Sequence, residues 1–111
     1  MGDRHLAPAL LAQVAERFKA LGEPVRLGLL DALRQGERTV GDLVDLTSQQ
    51  QANVSRHLGV LHAVGLVTRR REGTFVYYRV ANPDVFTMCD LVCGRLHREA
   101  QEMVKAAEPR A

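Results

Sequence analysis

Several features that would indicate other classes of protein are scarce or missing in this chain. It has no tryptophan and only two cysteines among 111 residues, which is too few for a disulfide framework, so both cysteines are expected to be reduced thiols. No apolar run approaches the ~20 residues that a membrane span requires, and residues 1–11 lack the apolar core of a signal peptide. With 46% hydrophobic and 25% charged residues, the sequence predicts one globular, cytoplasmic domain over residues 1–111.

Positive charge is modest overall but is concentrated in one segment. The formal net charge is only +2, which argues against a histone-like coat or a polybasic membrane tail. Residues 48–80 nevertheless carry five Lys or Arg against one Asp or Glu, whereas both flanking parts carry one more acid than base. This distribution favours a protein that binds phosphates on one face. The alternative is that the arginines protect a solvated strand edge against pairing.

Residues 39–64 have the pattern of two short helices joined by a polar turn. Thr39 and Asp42 have the spacing of a capping box at the start of the first helix. Its inward apolar face is predicted to consist of Val40, Leu43, Val44 and Leu46. The second helix is predicted from about Gln50 to Val64, with an apolar stripe at Val54, Leu58, Leu61 and His62. This is the layout of a helix-turn-helix, whose second helix enters a DNA groove.

A basic β-hairpin is predicted directly after this pair of helices. Gly65 ends the second helix, and a first strand then runs into Arg69, Arg70 and Arg71. Residues 72–73, Glu-Gly, are placed at the reversal, and residues 75–80 alternate as a second strand. A hairpin appended to a helix-turn-helix is a wing.

Further helices are predicted on both sides of this unit. One begins at Pro8 and ends at Gly22, and another runs from Pro24 to Gly36 with Leu27, Leu30 and Leu33 buried. The last helix follows Asn82-Pro83-Asp84 and continues to about Ala107. It carries apolar residues at near-heptad spacing, namely Val85, Cys89, Val92, Leu96, Met103 and Ala107. One small core cannot bury all of them, so the last helix is predicted to form a dimer seam.

Three stretches together resemble the ArsR/SmtB family of small dimeric winged-helix repressors. They are ALGEPVRLGLLDAL at 20–33, VSRHLGVLHAVGLVTRRREG at 54–73 and VYYRVANPDV at 76–85. The resemblance implies a mainly α fold with a small β-hairpin, a winged helix-turn-helix with the order α1-α2-α3-α4-β1-β2-α5. It also implies a homodimer formed through the first and last helices, binding to an inverted-repeat DNA operator, and release from that DNA when an inducer binds.

The resemblance also implies which side chains meet DNA. On the second helix of the pair they are Gln51, Asn53, Ser55, Arg56 and His57, and at the wing tip they are Arg71 and Thr74. Gln and Asn can bond adenine edges, whereas Arg can bond guanine or a phosphate; Arg69 and Arg70 are assigned mainly to phosphates. For the two histidines of this helix, at positions 57 and 62, the alternative is a packing or capping role. The chain departs from the family in having Gln50 at the helix cap and Thr74 in place of a basic wing residue.

Two inducer sites of the family are absent or incomplete. Residues 40–45 contain no cysteine, so the thiol site of that helix is missing. On the last helix Asp84 and His97 match a metal site, but Phe86 and Ala100 stand where two further ligands are expected. A tetrahedral zinc ion would lack two of its four ligands, so this site is not predicted. No cofactor is required.

Cys89 and Cys93 remain as candidate sensor residues. They lie one helical turn apart, with His97 a further turn along. If the last helices pair antiparallel as the resemblance implies, the twofold axis passes near Val92, and Cys89 of one chain lies close to Cys93 of the other. The four thiols would suit a soft ion such as arsenite, cadmium or lead. Alternatively, oxidants or persulfides would join the thiols across the interface, or both cysteines are packing residues.

Two further classes of function are weighed against this prediction. A winged helix can be a protein-interaction module without an inducer site, and salt-sensitive binding to duplex DNA would distinguish the two. A thiol enzyme is disfavoured because both cysteines and His97 lie along one helix, without an oxyanion site or a candidate acid beside them. Arg95 and Arg98 either add positive charge that favours thiolates or are solvated on the surface of the helix. The sequence therefore predicts a cytoplasmic, homodimeric repressor that a thiol-directed inducer releases from DNA.

Overall fold

The computed structural model describes residues 5–109, so residues 1–4 and 110–111 of the predicted domain lie outside it. Five helices and three strands follow one another along this part of the chain. They are α1 (Pro8–Leu21), α2 (Pro24–Ala32), β1 (Arg38–Thr39), α3 (Val40–Thr47), α4 (Gln51–Ala63), β2 (Val67–Glu72), β3 (Phe75–Val80) and α5 (Asp84–Ala107). The predicted winged helix-turn-helix is confirmed, with α3 and α4 as the helix pair and β2 and β3 as the wing.

Local capping signals account for several helix boundaries. The side chain of Glu23 accepts a hydrogen bond of 2.9 Å from the backbone N–H of Arg26, and Pro24 occupies the first turn of α2. At α3 the capping box is complete, because Thr39 and Asp42 each accept a 3.1 Å bond from the other's backbone N–H. Gln50 makes no capping bond at α4, in keeping with its departure from the family pattern.

The sheet has one strand more than was predicted. The short strand β1 pairs with β3, so the order across the antiparallel sheet is β1-β3-β2. A two-residue strand is too short to leave a periodic signal in the sequence. The reversal of the wing also lies one residue later than predicted, because Glu72 pairs with Phe75 and leaves Gly73 and Thr74 as the loop. Gly73 has a φ of 61°, which a residue with a side chain adopts only under strain.

One hydrophobic core joins α2, α3, α4 and the sheet. Its buried members include Leu29, Leu30, Leu33, Leu43, Val54, Leu58, Leu61, Val67, Tyr78 and Val85. Two predicted core positions are wrong: Leu27 and Leu46 are exposed. On α2 the predicted Leu30 and Leu33 are buried, and Leu29 rather than Leu27 completes the buried face.

The helix α5 extends well beyond the core. Val85 is buried in the core of a single chain, so it does not belong to the apolar seam predicted for this helix. The later apolar residues Leu91, Val92, Leu96, Met103 and Val104 are all exposed, as are Leu10, Leu11 and Phe18 on α1. An apolar groove of about 620 Å³ lies between α1, α2 and α5 and includes Phe18, Leu30 and Cys89.

Candidate DNA-binding surface and cysteine pair

The first turns of α4 present a polar surface. Gln51, Ser55 and Arg56 are exposed, and Asn53 is half-buried. Val54 fixes the orientation of this turn because it is fully buried in the core on the opposite side of the helix. Four of the five α4 residues predicted to meet DNA are therefore accessible.

Hydrogen bonds hold two of these side chains in place. The Arg56 guanidinium donates from Nη2 to Asn53 Oδ1 at 2.7 Å, and Asn53 Nδ2 donates to Gln49 Oε1 at 2.8 Å. A chain of three side chains thus runs along the start of α4. Since the amide of Asn53 is bonded on both sides, its donor and acceptor ends have fixed positions before any ligand binds.

His57 lies elsewhere than predicted. Its residue surface is only 4% exposed, so its ring does not belong to the surface that faces solvent. The ring packs against α2, with Nδ1 3.2 Å from Arg26 Nη1 and 3.8 Å from Glu23 Oε2, while Nε2 lies 3.3 Å from Arg56 Nη2. Burial lowers the pKa of His57, and the two arginines act in the same direction whereas Glu23 opposes them. His57 is a buried support of α4, which is the packing role that was its alternative.

Glu23 and Arg26 are parts of the site that the sequence analysis missed. Arg26 also donates from Nε to Ala20 O at 2.6 Å and from Nη2 to Lys19 O at 3.2 Å, so it ties the end of α1 to α4. The backbone N–H of Arg26 holds the pKa of the Glu23 carboxyl below its usual range. The available signal was the sequence Gly22-Glu23-Pro24, which is typical of a capped helix start rather than of a binding site.

The three wing arginines do not share one face of the sheet. Side chains alternate along β2, so Arg69 and Arg71 lie on the face of Tyr78, and Arg70 lies on the opposite face beside Tyr77. Within residues 5–109, Arg69 and Arg71 form no ion pair. Thr74 lies at the exposed tip, as predicted.

Arg70 is engaged by its own chain. It donates from Nε to Glu37 Oε2 at 3.0 Å and from Nη1 to Glu72 Oε2 at 2.6 Å, and its guanidinium carbon lies 4.6 Å from the centre of the Tyr77 ring. Glu37 and then Glu72 raise the pKa of Arg70. Arg70 is therefore less available to a phosphate than Arg69 is, because two carboxylates already pair with it. The assignment of Arg69 and Arg70 to phosphates stays a prediction.

The two cysteines have different surroundings on α5. Cys89 is half-buried against the core, whereas Cys93 and His97 are exposed. Burial raises the pKa of the Cys89 thiol, with a further contribution from Cys93. Arg95 is paired with Glu99 at 3.6 Å, which weakens its predicted effect on the thiols. In the described part of one chain, no three His, Cys, Asp or Glu residues lie close enough together to hold a metal ion.

A salt bridge fixes α5 to the turn after α2, beside the cysteines. Arg34 donates to both carboxylate oxygens of Asp90, at 2.9 and 3.1 Å, and its guanidinium carbon lies 4.5 Å from the centre of the Phe86 ring. Arg34 also bonds Asp31 at the end of α2. Phe86, which stands where a family metal site has a ligand, is thus occupied in packing α5 onto α2.

The fold and the polar surface of α4 define a winged helix-turn-helix DNA-binding protein. Residues 23–69 match the family described as bacterial regulatory protein, arsR family. The chain belongs to this family. It is 34% identical to the uncharacterized HTH-type transcriptional regulator Rv0081 of Mycobacterium tuberculosis. The 95 aligned residues cover 85% of this chain and 83% of that protein. Proteins of this family are transcriptional regulators and not enzymes.

Other similar proteins support the assignment. HTH-type transcriptional regulator Rv0324 of M. tuberculosis is 46% identical over 91 residues, which cover 82% of this chain but span only 40% of the length of that protein. The crystal structure of Rv0081 has a TM-score of 0.75, covering 89% of this chain and 99% of that one. The solution structure of the homodimeric winged helix-turn-helix domain of Mb0332 from Mycobacterium bovis is 38% identical, with a TM-score of 0.73 and coverage of 99% and 98%. Among helices within residues 5–109, none is long and apolar enough to cross a membrane.

Proposed function

We propose that the protein is a homodimeric transcriptional repressor that binds an inverted-repeat operator through α4 and the wing. The observation that carries this proposal is the ordered polar surface at the start of α4, where Arg56, Asn53 and Gln49 are joined by hydrogen bonds. Arg56 would contact guanine or a phosphate, and Gln51 and Ser55 would contact neighbouring bases. Arg69, Arg71 and Thr74 would contact the backbone at the wing. As a regulator of transcription it would act in the cytoplasm, where the DNA is.

The exposed apolar surface of α1 and α5 supports a homodimer. Leu96 and Met103 project from α5, and Phe18 from α1, although side chains of this size are ordinarily buried. The groove between these helices offers a place for the same helices of a second chain. The similar domain of Mb0332 is described as homodimeric. A twofold dimer would present two α4 helices to two half-sites of opposite orientation.

Selection of bound duplexes from a random-sequence DNA library tests the repressor proposal. We expect the selected duplexes to contain two inverted half-sites, about 10 base pairs apart from centre to centre or a multiple of that distance. Affinity for them should fall steeply with salt. Enrichment of no duplex, or binding that does not respond to salt, would favour a protein-interaction module instead.

The inducer is proposed to act on Cys89 and Cys93. Any bound ion would need ligands from two chains, since the described residues of one chain do not supply three close together. Soft ions such as arsenite, cadmium or lead prefer thiolates, and two chains together supply four. The second candidate is an oxidant or persulfide, which is favoured by the exposure of Cys93. Either event would join two chains near the dimer axis and change the spacing of the two α4 helices.

Titration of operator binding with each agent distinguishes these inducers. The unmodified protein should lose affinity about 5- to 150-fold with the inducer, the range of a typical allosteric coupling. The Cys89→Ser and Cys93→Ser variants should bind the operator but no longer respond. If the unmodified protein responds to no agent, or if both variants respond as it does, the cysteines are packing residues.

A further inference from the structure

The buried ring of His57 faces one arginine on each side. Arg26 Nη1 lies 3.2 Å from Nδ1, and Arg56 Nη2 lies 3.3 Å from Nε2. An arginine side chain is always protonated and can only donate hydrogen bonds. A neutral imidazole has one N–H and one acceptor nitrogen. Only one of the two arginines can therefore be hydrogen-bonded to His57 at a time.

Each tautomer of His57 satisfies a different arginine. With the proton on Nδ1, the ring accepts from Arg56 and directs its N–H towards Glu23 Oε2, 3.8 Å away. With the proton on Nε2, the ring accepts from Arg26 instead. Arg56 then keeps only its bond to Asn53, which lies on the same exposed side of α4.

The two arginines differ in what else they can do. Arg26 is fixed by two backbone carbonyls at the end of α1, so it stays in place whichever nitrogen carries the proton. Arg56 is exposed and can leave the ring for an acceptor in solution. A guanine edge or a phosphate is such an acceptor.

We propose that His57 is a positioning residue whose two tautomers hold Arg56 against α4 in the unbound protein and release it on DNA. When a DNA acceptor takes the bond of Arg56, Nε2 loses its donor. The ring proton then moves from Nδ1 to Nε2, and Nδ1 accepts from Arg26. No proton is gained or lost overall. The DNA-dependent half of this inference rests on the proposed function, whereas the competition between the arginines does not.

Protonation of the ring would abolish both arrangements. The charged groups that face His57 are Glu23 and Arg26 on α2 and Arg56 on α4. An imidazolium has no acceptor nitrogen, so neither arginine could bond to it. Burial and the two arginines keep the pKa of His57 below its ordinary value, so the neutral ring persists at neutral pH.

The competition can be measured without DNA. Two-bond proton–nitrogen spectra of ¹⁵N-labelled protein at about pH 8, where an ordinary histidine is neutral, report which ring nitrogen carries the proton. We expect Nδ1–H in the unmodified protein and Nε2–H in Arg56→Met, which removes the donor but keeps an unbranched apolar stem. Arg26→Met is the matched variant and should retain Nδ1–H. If the unmodified protein and Arg56→Met have the same His57 tautomer, the proposal is wrong. This comparison does not depend on whether the control variant Arg26→Met folds.

The release of Arg56 from His57 is tested with the duplex selected from the random-sequence library. Adding this DNA to the unmodified protein should move the His57 proton to Nε2, whereas an unrelated duplex of equal length should leave it on Nδ1. An unchanged tautomer on the selected duplex refutes the release step. Failure to select any duplex refutes the proposed function and the release step together, and the spectra of the unbound proteins still decide the competition.

Two substitutions of His57 distinguish the roles of its ring nitrogens Nδ1 and Nε2. His57→Asn places an acceptor near Nδ1 and keeps the bond to Arg26, whereas His57→Gln places one near Nε2 and keeps Arg56 held. We expect His57→Gln to lose about five- to tenfold more affinity for the selected duplex than His57→Asn, the equivalent of one net hydrogen bond. Binding to the unrelated duplex should not distinguish them. Equal losses on the selected duplex would mean that His57 has only a structural role.

Discussion

Arg56 and Arg70 carry the same charge but have different partners, and the partners decide which of them is available to DNA. Arg56 is held by a neutral amide and a neutral ring, both of which it can leave at small cost. Arg70 is held by two carboxylates and lies against an aromatic ring. The carboxylates add the attraction of an opposite charge to the hydrogen bonds of Arg70, which the neutral acceptors of Arg56 do not supply. Arginine content alone therefore overstates the basic surface of the wing.

Arg56→Ala should weaken binding to the selected duplex by about 1 to 3 kcal/mol if the side chain contacts a base. Binding to unrelated duplex DNA should change much less, because a base contact adds little there. Fluorescence anisotropy on both duplexes measures the two losses. Equal losses on both would place Arg56 on a phosphate.

Arg71→Ala should weaken binding to selected and unrelated duplexes about equally and lower the salt slope by roughly one unit. The physical reason is the release of one counterion from the phosphate that Arg71 contacts. Arg70→Ala is the matched control and should leave the slope nearly unchanged, since Glu37 and Glu72 already pair with Arg70. A larger change in slope for Arg70→Ala than for Arg71→Ala would contradict this assignment.

The lowered pKa of His57 predicts how stability depends on pH. The folded state binds the His57 proton less readily than the unfolded chain, so this contribution is present above the unfolded pKa of 6.5 and is lost as pH falls through the lower folded value. The unmodified protein should therefore lose more unfolding free energy between pH 8 and about pH 5 than His57→Gln does. Urea unfolding at both pH values measures this. His97→Gln, on the exposed part of α5, is the control and should behave as the unmodified protein.

At the scale of whole elements, the sequence predicted the structure where a local signal was strong. The capping box of Thr39 and Asp42 placed the start of α3, and the long apolar pattern after Pro83 placed α5. The strand β1 was missed because two residues form it only by pairing with β3. Tertiary contact, not local preference, makes it a strand.

The burial of His57 was predictable from spacing, yet a packing role was only the alternative to the predicted contact with DNA. His57 follows the buried Val54 by three residues and precedes the buried Leu61 by four, which is the spacing of one helical face. Residue type suggested a polar role, and periodicity suggested the core. The structure agrees with the burial that the periodicity indicates. The partners Glu23 and Arg26 were beyond prediction, because nothing local indicates that the start of α2 meets α4.

The exposed apolar residues of α5 lead to a prediction about assembly. Leu96→Lys should favour monomers, because the ammonium group would be buried in the seam without a partner. Leu96 and Leu46 are similarly exposed in the single chain, at 60% and 54%, so Leu46→Lys on α3 is the matched control. Sedimentation should show a smaller species for Leu96→Lys only. An unchanged dimer for Leu96→Lys would place the interface elsewhere.

For the whole molecule, the proposed dimer would place the cysteines of both chains around a twofold axis. If the last helices pair antiparallel near Val92, Cys89 of one chain faces Cys93 of the other, and each dimer holds two such pairs. Cys89 is half-buried in its own chain and Cys93 is exposed, so the two thiols are not equivalent. Mixed dimers can therefore show which chain supplies each thiol.

A dimer that combines one Cys89→Ser chain with one Cys93→Ser chain retains one cross-chain pair, whereas either variant alone retains none. Treatment with hydrogen peroxide should join that pair as a disulfide, with two electrons and two protons passing to peroxide to give water. We expect the mixed dimer to form a covalent dimer on a non-reducing gel and to lose operator affinity. Each variant alone should do neither. If oxidation instead joins the two cysteines within one chain, the mixed dimer will stay non-covalent, and the proposed crossing of the two α5 helices will be wrong.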